Sequence, residues 1–400
     1  MIHEIRVSNF YSVRDEVVLD LRVAKNAPEL PRFRTSHSRP DVRLPVVIAL
    51  VGPNASGKST LLRALASTLR FATHSFELGV DQDIPGFQPF LASDALSLPT
   101  SIVVEFDALW LDPENPELFR YELQIANGAK RRTVLREVLW HSPSRGKRRA
   151  MRRLFERKVG DKVYTGPEMG LRANDARLES LRDNASLIST LAKLNVPLAQ
   201  KIYLDLTRTQ IADSGNFLRT APEFQWVLKH YLENPERLQR LNRELRRVDI
   251  GIKKMTIEPS ASGPLAFFEH DGLALPILLN EESAGTRHFV GIFPTLDFVL
   301  AAGHLGIIDE FDSFFHPILI SELFRWFHDP ERNPHKAQLF VTLHNATVLD
   351  DLEKPEIFFV EKEKGATRAY SAQDVQGLRR ERRLLDKYLS GALGALPRIG

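Results

Sequence analysis

The stretch Val46-Val47-Ile48-Ala49-Leu50-Val51-Gly52-Pro53-Asn54-Ala55-Ser56-Gly57-Lys58-Ser59-Thr60 decides the fold class. Its first six residues are an unbroken apolar run rich in β-branched side chains, the composition of a strand buried on both faces of an α/β sheet. Beyond Lys58, residues Leu61, Leu62, Leu65 and Leu69 recur at helical spacing with polar Arg63 and Thr68 between them, so a helix follows the strand. The loop joining the two, Gly52 to Ser59, matches G-x-x-x-x-G-K-[ST]. In such a loop glycines let backbone N–H groups approach phosphate oxygens, and the helix N-terminus adds partial positive charge. The Lys58 ammonium reaches β- and γ-phosphates, and the Ser59 hydroxyl is a ligand for Mg2+. Gly52, Pro53, Asn54, Ala55, Ser56, Gly57, Lys58, Ser59 and Thr60 are therefore the expected binding loop for ATP with Mg2+.

Such a loop needs a carboxylate at the end of a second buried strand, and Leu305-Gly306-Ile307-Ile308-Asp309-Glu310 supplies an apolar run ending in two acids. Asp309 is expected to hold Mg2+ through water, and Glu310 to polarise the attacking water. About 250 residues separate the two motifs, so a large insertion must leave the sheet and return to it. That excludes a minimal GTPase and counts against a ring-forming AAA+ chain. The apolar runs Gln338 to Leu343 and Ile357 to Val360 read as later strands of the same sheet. Upstream, Ile5 to Phe10 and Val17 to Leu21 read as short strands; Ile102 to Phe106 and Tyr121 to Ile125 read as an antiparallel pair around the turn Leu111 to Pro116. Residues 175 to 248 are mostly helical in pattern, with breaks at Pro197 and Ser214-Gly215-Asn216.

The 400 residues contain no cysteine, which closes disulfide and zinc-thiolate chemistry. No apolar run reaches the roughly 18 residues of a membrane span, and the opening Met1-Ile2-His3-Glu4-Ile5-Arg6 lacks a signal-peptide pattern. A cytoplasmic protein with no membrane contact is expected. The net charge of +3 is unevenly spread: Gly128 to Lys158 holds twelve Lys and Arg against two Glu. Lys130, Arg131, Arg132, Arg136, Arg145, Lys147, Arg148, Arg149, Arg152, Arg153, Arg157 and Lys158 could neutralise nucleic-acid phosphates, dock an acidic protein or form a solvated arm. Neither H-E-x-x-H nor G-x-S-x-G occurs, so any nuclease or toxin chemistry is expected on another chain.

Ahead of the acidic strand, Asn280-Glu281-Glu282-Ser283-Ala284-Gly285-Thr286-Arg287-His288-Phe289 resembles the signature motif of ABC-type ATPases of the SMC and RecF kind, with Ala284 in place of the usual first glycine and Glu282 where leucine is common. The resemblance implies that Ser283 and Gly285 contact ATP bound by a second copy, in a head-to-tail homodimer with nucleotide sandwiched between heads, or in a higher oligomer. Phe311-Asp312-Ser313-Phe314-Phe315-His316-Pro317 looks like the D-loop of that family, which would put Asp312 across the dimer interface. Phe340-Val341-Thr342-Leu343-His344-Asn345 looks like its switch segment, with His344 near the γ-phosphate. Gln88, in Gly86-Phe87-Gln88-Pro89-Phe90, is the candidate for coupling the metal to the insertion. Asn9 and Arg14 occupy the segment that in similar ATPases approaches the adenine or phosphate; strand packing and surface charge are the alternatives.

Three further stretches are similar to RloA/AbiL-type AAA-family ATPases, small ABC-like proteins of prokaryotic antiviral two-gene systems. These are Asn9-Phe10-Tyr11-Ser12-Val13, Asp183-Asn184-Ala185-Ser186-Leu187, and the tail from Phe358 to Thr367 and Leu385 to Pro397. The resemblance implies an α/β ABC-type P-loop ATPase head with a mixed sheet and an inserted, mainly helical arm. The expected division is head residues 1–126, insertion 127–262 and head residues 263–400. The expected function is an ATP-hydrolysing sensor that controls a separately encoded effector, a nuclease or TOPRIM-like protein. A RecF-like DNA-repair ATPase and an ATP-stabilised scaffold with little turnover remain open as alternatives.

Overall fold

The computed structural model describes residues 1–108, 116–128, 130–142, 150–172, 174–213, 221–248, 251–375 and 384–395. The expected turn at 111–116, most of which falls in 109–115, and the break at 214–216 lie outside the described residues.

Strand Val47–Val51 is buried along its whole length, as its unbroken apolar run requires. It sits inside a six-stranded sheet ordered Gln210–Asp213, Leu305–Asp309, Gln338–Leu343, Val47–Val51, Ile357–Glu363, Ala366–Ser371. The first five strands run parallel, and the last turns back antiparallel. All three apolar runs expected to rejoin the sheet do so. The alternation of side chains in these strands feeds two cores. Ile48, Leu50, Ile307 and Phe340 face one, while Val47, Ala49, Ile308, Leu339, Val341 and Leu343 face the other.

Helix Lys58–His74 covers the first face through Leu61, Leu62, Leu65 and Leu69, the spacing read from sequence. Its far side meets Ile5, Val7, Ile102 and Val104 of a second, antiparallel sheet. The helix is thus held between two sheets. Helices Leu187–Lys193 and Pro197–Thr207 complete this core. On the other face lie helices Ala221–Glu233, Pro235–Val248, Ala284–Ala302 and Pro317–His328.

The antiparallel sheet has seven strands, ordered Tyr164–Thr165, Arg152–Lys158, Arg132–Ser142, Glu117–Asn127, Thr100–Ala108, Ile2–Ser8, Val17–Asp20. Here the structure departs from the expected division at residue 126. That boundary runs through a hairpin, because Glu117–Asn127 pairs with Arg132–Ser142 from Leu118↔Ser142 to Asn127↔Arg132. Strands Arg132–Ser142, Arg152–Lys158 and Tyr164–Thr165 extend the N-terminal sheet, and helices Leu187–Lys193 and Pro197–Thr207 follow them in the chain.

Candidate functional site

The loop after Val51 is bent by two residues in left-handed conformations, Ala55 at φ 62 and Gly57 at φ 110. Gly57 stands at the N-cap of helix Lys58–His74. Its φ is open to glycine and strained for any L side chain, which is the physical reason for glycine there. Gly52 meets a different demand: a β-carbon at that position would lie 2.0 Å from the Val360 carbonyl oxygen. The loop borders an open cleft of about 910 Å³ whose walls include Lys58, Ser59, Thr60, Gln88, Glu310 and His344. Residues from four separate parts of the chain thus share one space.

Lys58 Nζ donates to the carbonyl oxygens of Gly52 at 2.7 Å and Pro53 at 3.1 Å, and lies 3.5 Å from His344 Nδ1. Burial pulls the Lys58 ammonium below the usual lysine value, against the opposing pull of Asp312, Asp309 and Glu310. Ser59 Oγ donates to Asp309 Oδ1 at 3.0 Å, joining two motifs 250 positions apart. Hydroxyl and carboxylate oxygens are the hard donors that Mg2+ prefers, so this pair fits the ion. Among the described residues no group of three or more His, Asp or Glu side chains gathers for a metal. Gln88 lines the same cleft, and its carbonyl accepts from Tyr11 N at 2.7 Å.

The two acids are set by a residue that the motif reading left without a role. Thr342, fully buried in the otherwise apolar strand Gln338–Leu343 apart from Gln338, donates from Oγ1 to Asp309 Oδ1 at 2.6 Å and accepts the Glu310 amide at 2.6 Å. Glu310 itself has a left-handed backbone, φ 51. A hydroxyl buried in an apolar strand demands a partner, and that demand was the available signal.

Asp312 is turned into its own chain: Oδ2 accepts the amides of His344, at 2.7 Å, and of Asn345. It fixes the segment carrying His344. Asn9 and Arg14 take the packing and surface alternatives. Asn9 is buried and holds the loop at 90–98 through Ala95, Leu98 and Phe90, while Arg14 pairs with Asp94 at 2.6 Å.

Ser283 caps helix Ala284–Ala302, its Oγ accepting from Thr286 N at 3.0 Å. Gly285 packs against the Phe314 carbonyl, 3.0 Å from where a β-carbon would stand. Neither residue lines the Lys58 cleft of its own chain. Glu282, the departure from the usual leucine, accepts a hydrogen bond from His270 Nε2 at 2.6 Å.

Most of the described cations of the basic segment are ion-paired, those of Arg136 and Arg157 across neighbouring strands. Arg131 pairs with Asp183, Arg132 with Asp83, Arg136 with Glu122 and Glu156, Arg153 with Glu156, Arg157 with Glu137, and Lys158 with Asp161. Arg145, Lys147, Arg148 and Arg149 lie outside the described residues.

Residues 47–350 match the family model described as "AAA domain, putative AbiEii toxin, Type IV TA system". The chain belongs to this AAA-domain family. No curated protein matches it in sequence. Among solved structures, the SmcHead bound to the C-winged helix domain of ScpA matches with TM-score 0.51 and 13% identity, over 92% of this chain and 97% of that one. The SMC head domain from Thermotoga maritima matches with TM-score 0.43 and 15% identity, over 92% and 98%. The Smc head domain with an extended coiled coil bound to the C-terminal domain of ScpA, derived from Pyrococcus furiosus, matches with TM-score 0.43 and 14% identity, over 92% and 96%. This AAA-family chain therefore has the fold of an SMC-head, ABC-type ATPase, a mixed α/β architecture. Among its described residues no helix is long and apolar enough to cross a membrane.

Proposed function

We propose that this AAA-family chain binds ATP with Mg2+ on Gly52–Thr60 and hydrolyses it. The observation that carries the reading is the convergence of Lys58, Ser59, Glu310 and His344 on one cleft, with Asp309 tied to it by the Ser59–Asp309 contact. Ser59 and Asp309, with Gln88 lining the same cleft as Ser59, would hold Mg2+, which supplies charge neutralisation at the phosphates. Lys58 would exchange its contacts with the Gly52 and Pro53 carbonyls for phosphate oxygens. Glu310, whose amide is held by Thr342, would take the proton of the attacking water, and His344, whose amide is held by Asp312, would stand by the γ-phosphate. Ser283 and Gly285, absent from their own chain's cleft, would complete the site of a second copy in a head-to-tail homodimer or higher oligomer.

The biological reading is a cytoplasmic sensor of an RloA/AbiL-like antiviral system that governs a separately encoded nuclease or TOPRIM-like effector. It is supported by the family, by the resemblance in the tail, and by the lack of an effector motif in the chain. The DNA-repair alternative has less support, because six of the eight described Lys and Arg side chains at 130–158 are already ion-paired. The test is Glu310→Gln. ATP binding should persist, turnover should fall about 10²- to 10⁴-fold, and ATP should drive dimer formation in sizing experiments. Equal turnover in wild type and E310Q, or a chain that does not bind ATP, would sink the reading. A nuclease or TOPRIM-like reading frame beside this gene would support the defence role; replication or recombination genes there would point to repair.

A further inference from the structure

Thr367 is a buried polar residue, 2% exposed, that no nucleotide-binding motif calls for. It lies on strand Ala366–Ser371, just after the two-residue turn Lys364-Gly365, whose φ angles of 48 and 83 are those of a tight hairpin. That turn sets the register Lys362↔Thr367 and aims the threonine at the underside of the phosphate loop. The Thr367 hydroxyl donates to the Ser56 carbonyl at 2.8 Å and lies 2.8 Å from Ser12 Oγ. Ser12 Oγ in turn lies 3.1 Å from Thr60 Oγ1, and the Thr367 amide donates to the Ser12 carbonyl at 2.7 Å. A β-carbon at Gly57 would fall 2.0 Å from Thr367 Oγ1 and 2.7 Å from its Cγ2. The loop, the N-terminal turn and the C-terminal hairpin therefore meet at one side chain.

We infer that Thr367 is a positioning residue for the phosphate loop, bracing the Ser56–Gly57 peptide from below. The peptide unit is planar and trans, so its C=O and N–H point in opposite directions. Holding the Ser56 oxygen on Thr367 commits the Gly57 N–H to the side away from the brace. A loop that binds anions through backbone N–H groups works only if those groups are fixed before the ligand arrives, since every peptide left free to rotate must be ordered at binding. The same contact explains why Gly57 faces two demands: a left-handed φ and no room for a side chain. Ser12 extends the brace to Thr60, in the first turn of the helix.

The test uses Thr367→Val, which keeps shape and removes the hydroxyl, Thr367→Ser, which keeps the hydroxyl, and Ser12→Ala as a second route to the same contact. The first readout needs no nucleotide: amide hydrogen exchange of residues 52–60 in the whole chain. Loss of one hydrogen bond predicts exchange between about twofold and tenfold faster in T367V, a smaller rise in S12A, and wild-type exchange in T367S. The second readout rests on the ATP reading above. The Kd for ATP with Mg2+ should rise by the same factor in T367V, while turnover at saturating ATP changes less than about twofold. Unchanged exchange in both T367V and S12A, or exchange in T367S as fast as in T367V, overturns the inference. A wild-type chain that binds no ATP would overturn the nucleotide reading, and exchange alone would then decide the brace.

Discussion

Replacing Thr342 with valine removes one hydroxyl and almost no volume, yet it should separate binding from turnover. In the native chain that hydroxyl donates to Asp309 Oδ1 and accepts the Glu310 amide, each at 2.6 Å. A hydrogen bond between neutral groups is worth about 1 kcal/mol, and one to a carboxylate about 1.5–3 kcal/mol. Asp309 and Glu310 are half-buried, so water recovers part of that loss, leaving about 2 kcal/mol. If it falls on the placement of the general base, turnover drops about 30-fold. If it falls on global stability instead, a chain of this size loses roughly 2–3 °C in Tm. Phosphate release at saturating ATP, ATP binding and thermal melting, measured on T342V and T342S, distinguish the two. The expected pattern is a 30-fold lower kcat in T342V with Kd for ATP within about threefold of wild type, because Lys58 and the loop are untouched, and recovery in T342S. A folded T342V with wild-type kcat would refute the reasoning.

His288 is fully buried beside Phe315, ring centroids 4.6 Å apart, with no hydrogen-bond partner among the described residues at either ring nitrogen; burial holds its pKa near 4. The unfolded chain takes up that proton first, at about pH 6.5, so stability falls as pH drops from there and levels below about 4. H288L should therefore lose about 2–3 kcal/mol less than wild type between pH 7.5 and 4.5 in urea titrations, and equal losses would contradict this. Arg157 pairs at 2.8 Å with Glu137, which has no exposed side-chain surface and also holds Tyr121 and Ser186. R157A strands that charge and should cost about 3 kcal/mol in urea unfolding, whereas R157A/E137Q should cost at most half as much.

What could be read from sequence was what the chemistry requires to be contiguous. A phosphate loop needs its glycines, lysine and serine within eight positions, and a buried strand needs an unbroken apolar run, so Gly52–Ser59, Val47–Val51 and Leu305–Glu310 were legible. The contacts that hold those parts in place were not. Thr367 meets Ser56 across 311 positions and Ser12 across 355, and no local pattern marks such a pair. Thr342 left a weak trace as a hydroxyl in an apolar strand. The ion partners of the basic stretch were hidden for the same reason. A running charge count sees Arg131, Arg132 and Arg136 but not Asp183, Asp83 and Glu122, which neutralise them from elsewhere in the chain.

The segment 310–316 links the two halves of the proposed machinery through contact alone. At one end Asp312 holds the amides that place His344, and the Glu310 amide sits on Thr342. At the other, the Phe314 carbonyl lies against Gly285, and His288 packs on both Phe314 and Phe315. Phe314 takes a left-handed φ of 71 to make this turn, and the residue is 54% exposed. Close-packed groups cannot separate by even an ångström without losing a sizeable part of their contact energy. Helix Ala284–Ala302 therefore cannot move relative to Leu305–Asp309 and leave segment 310–316 as it is; either the segment follows or the His288 contacts open. If a second copy does engage Ser283 and Gly285, the contact that it makes is one residue's packing away from the strand end that carries Glu310, and H288L tests that packing from the inside.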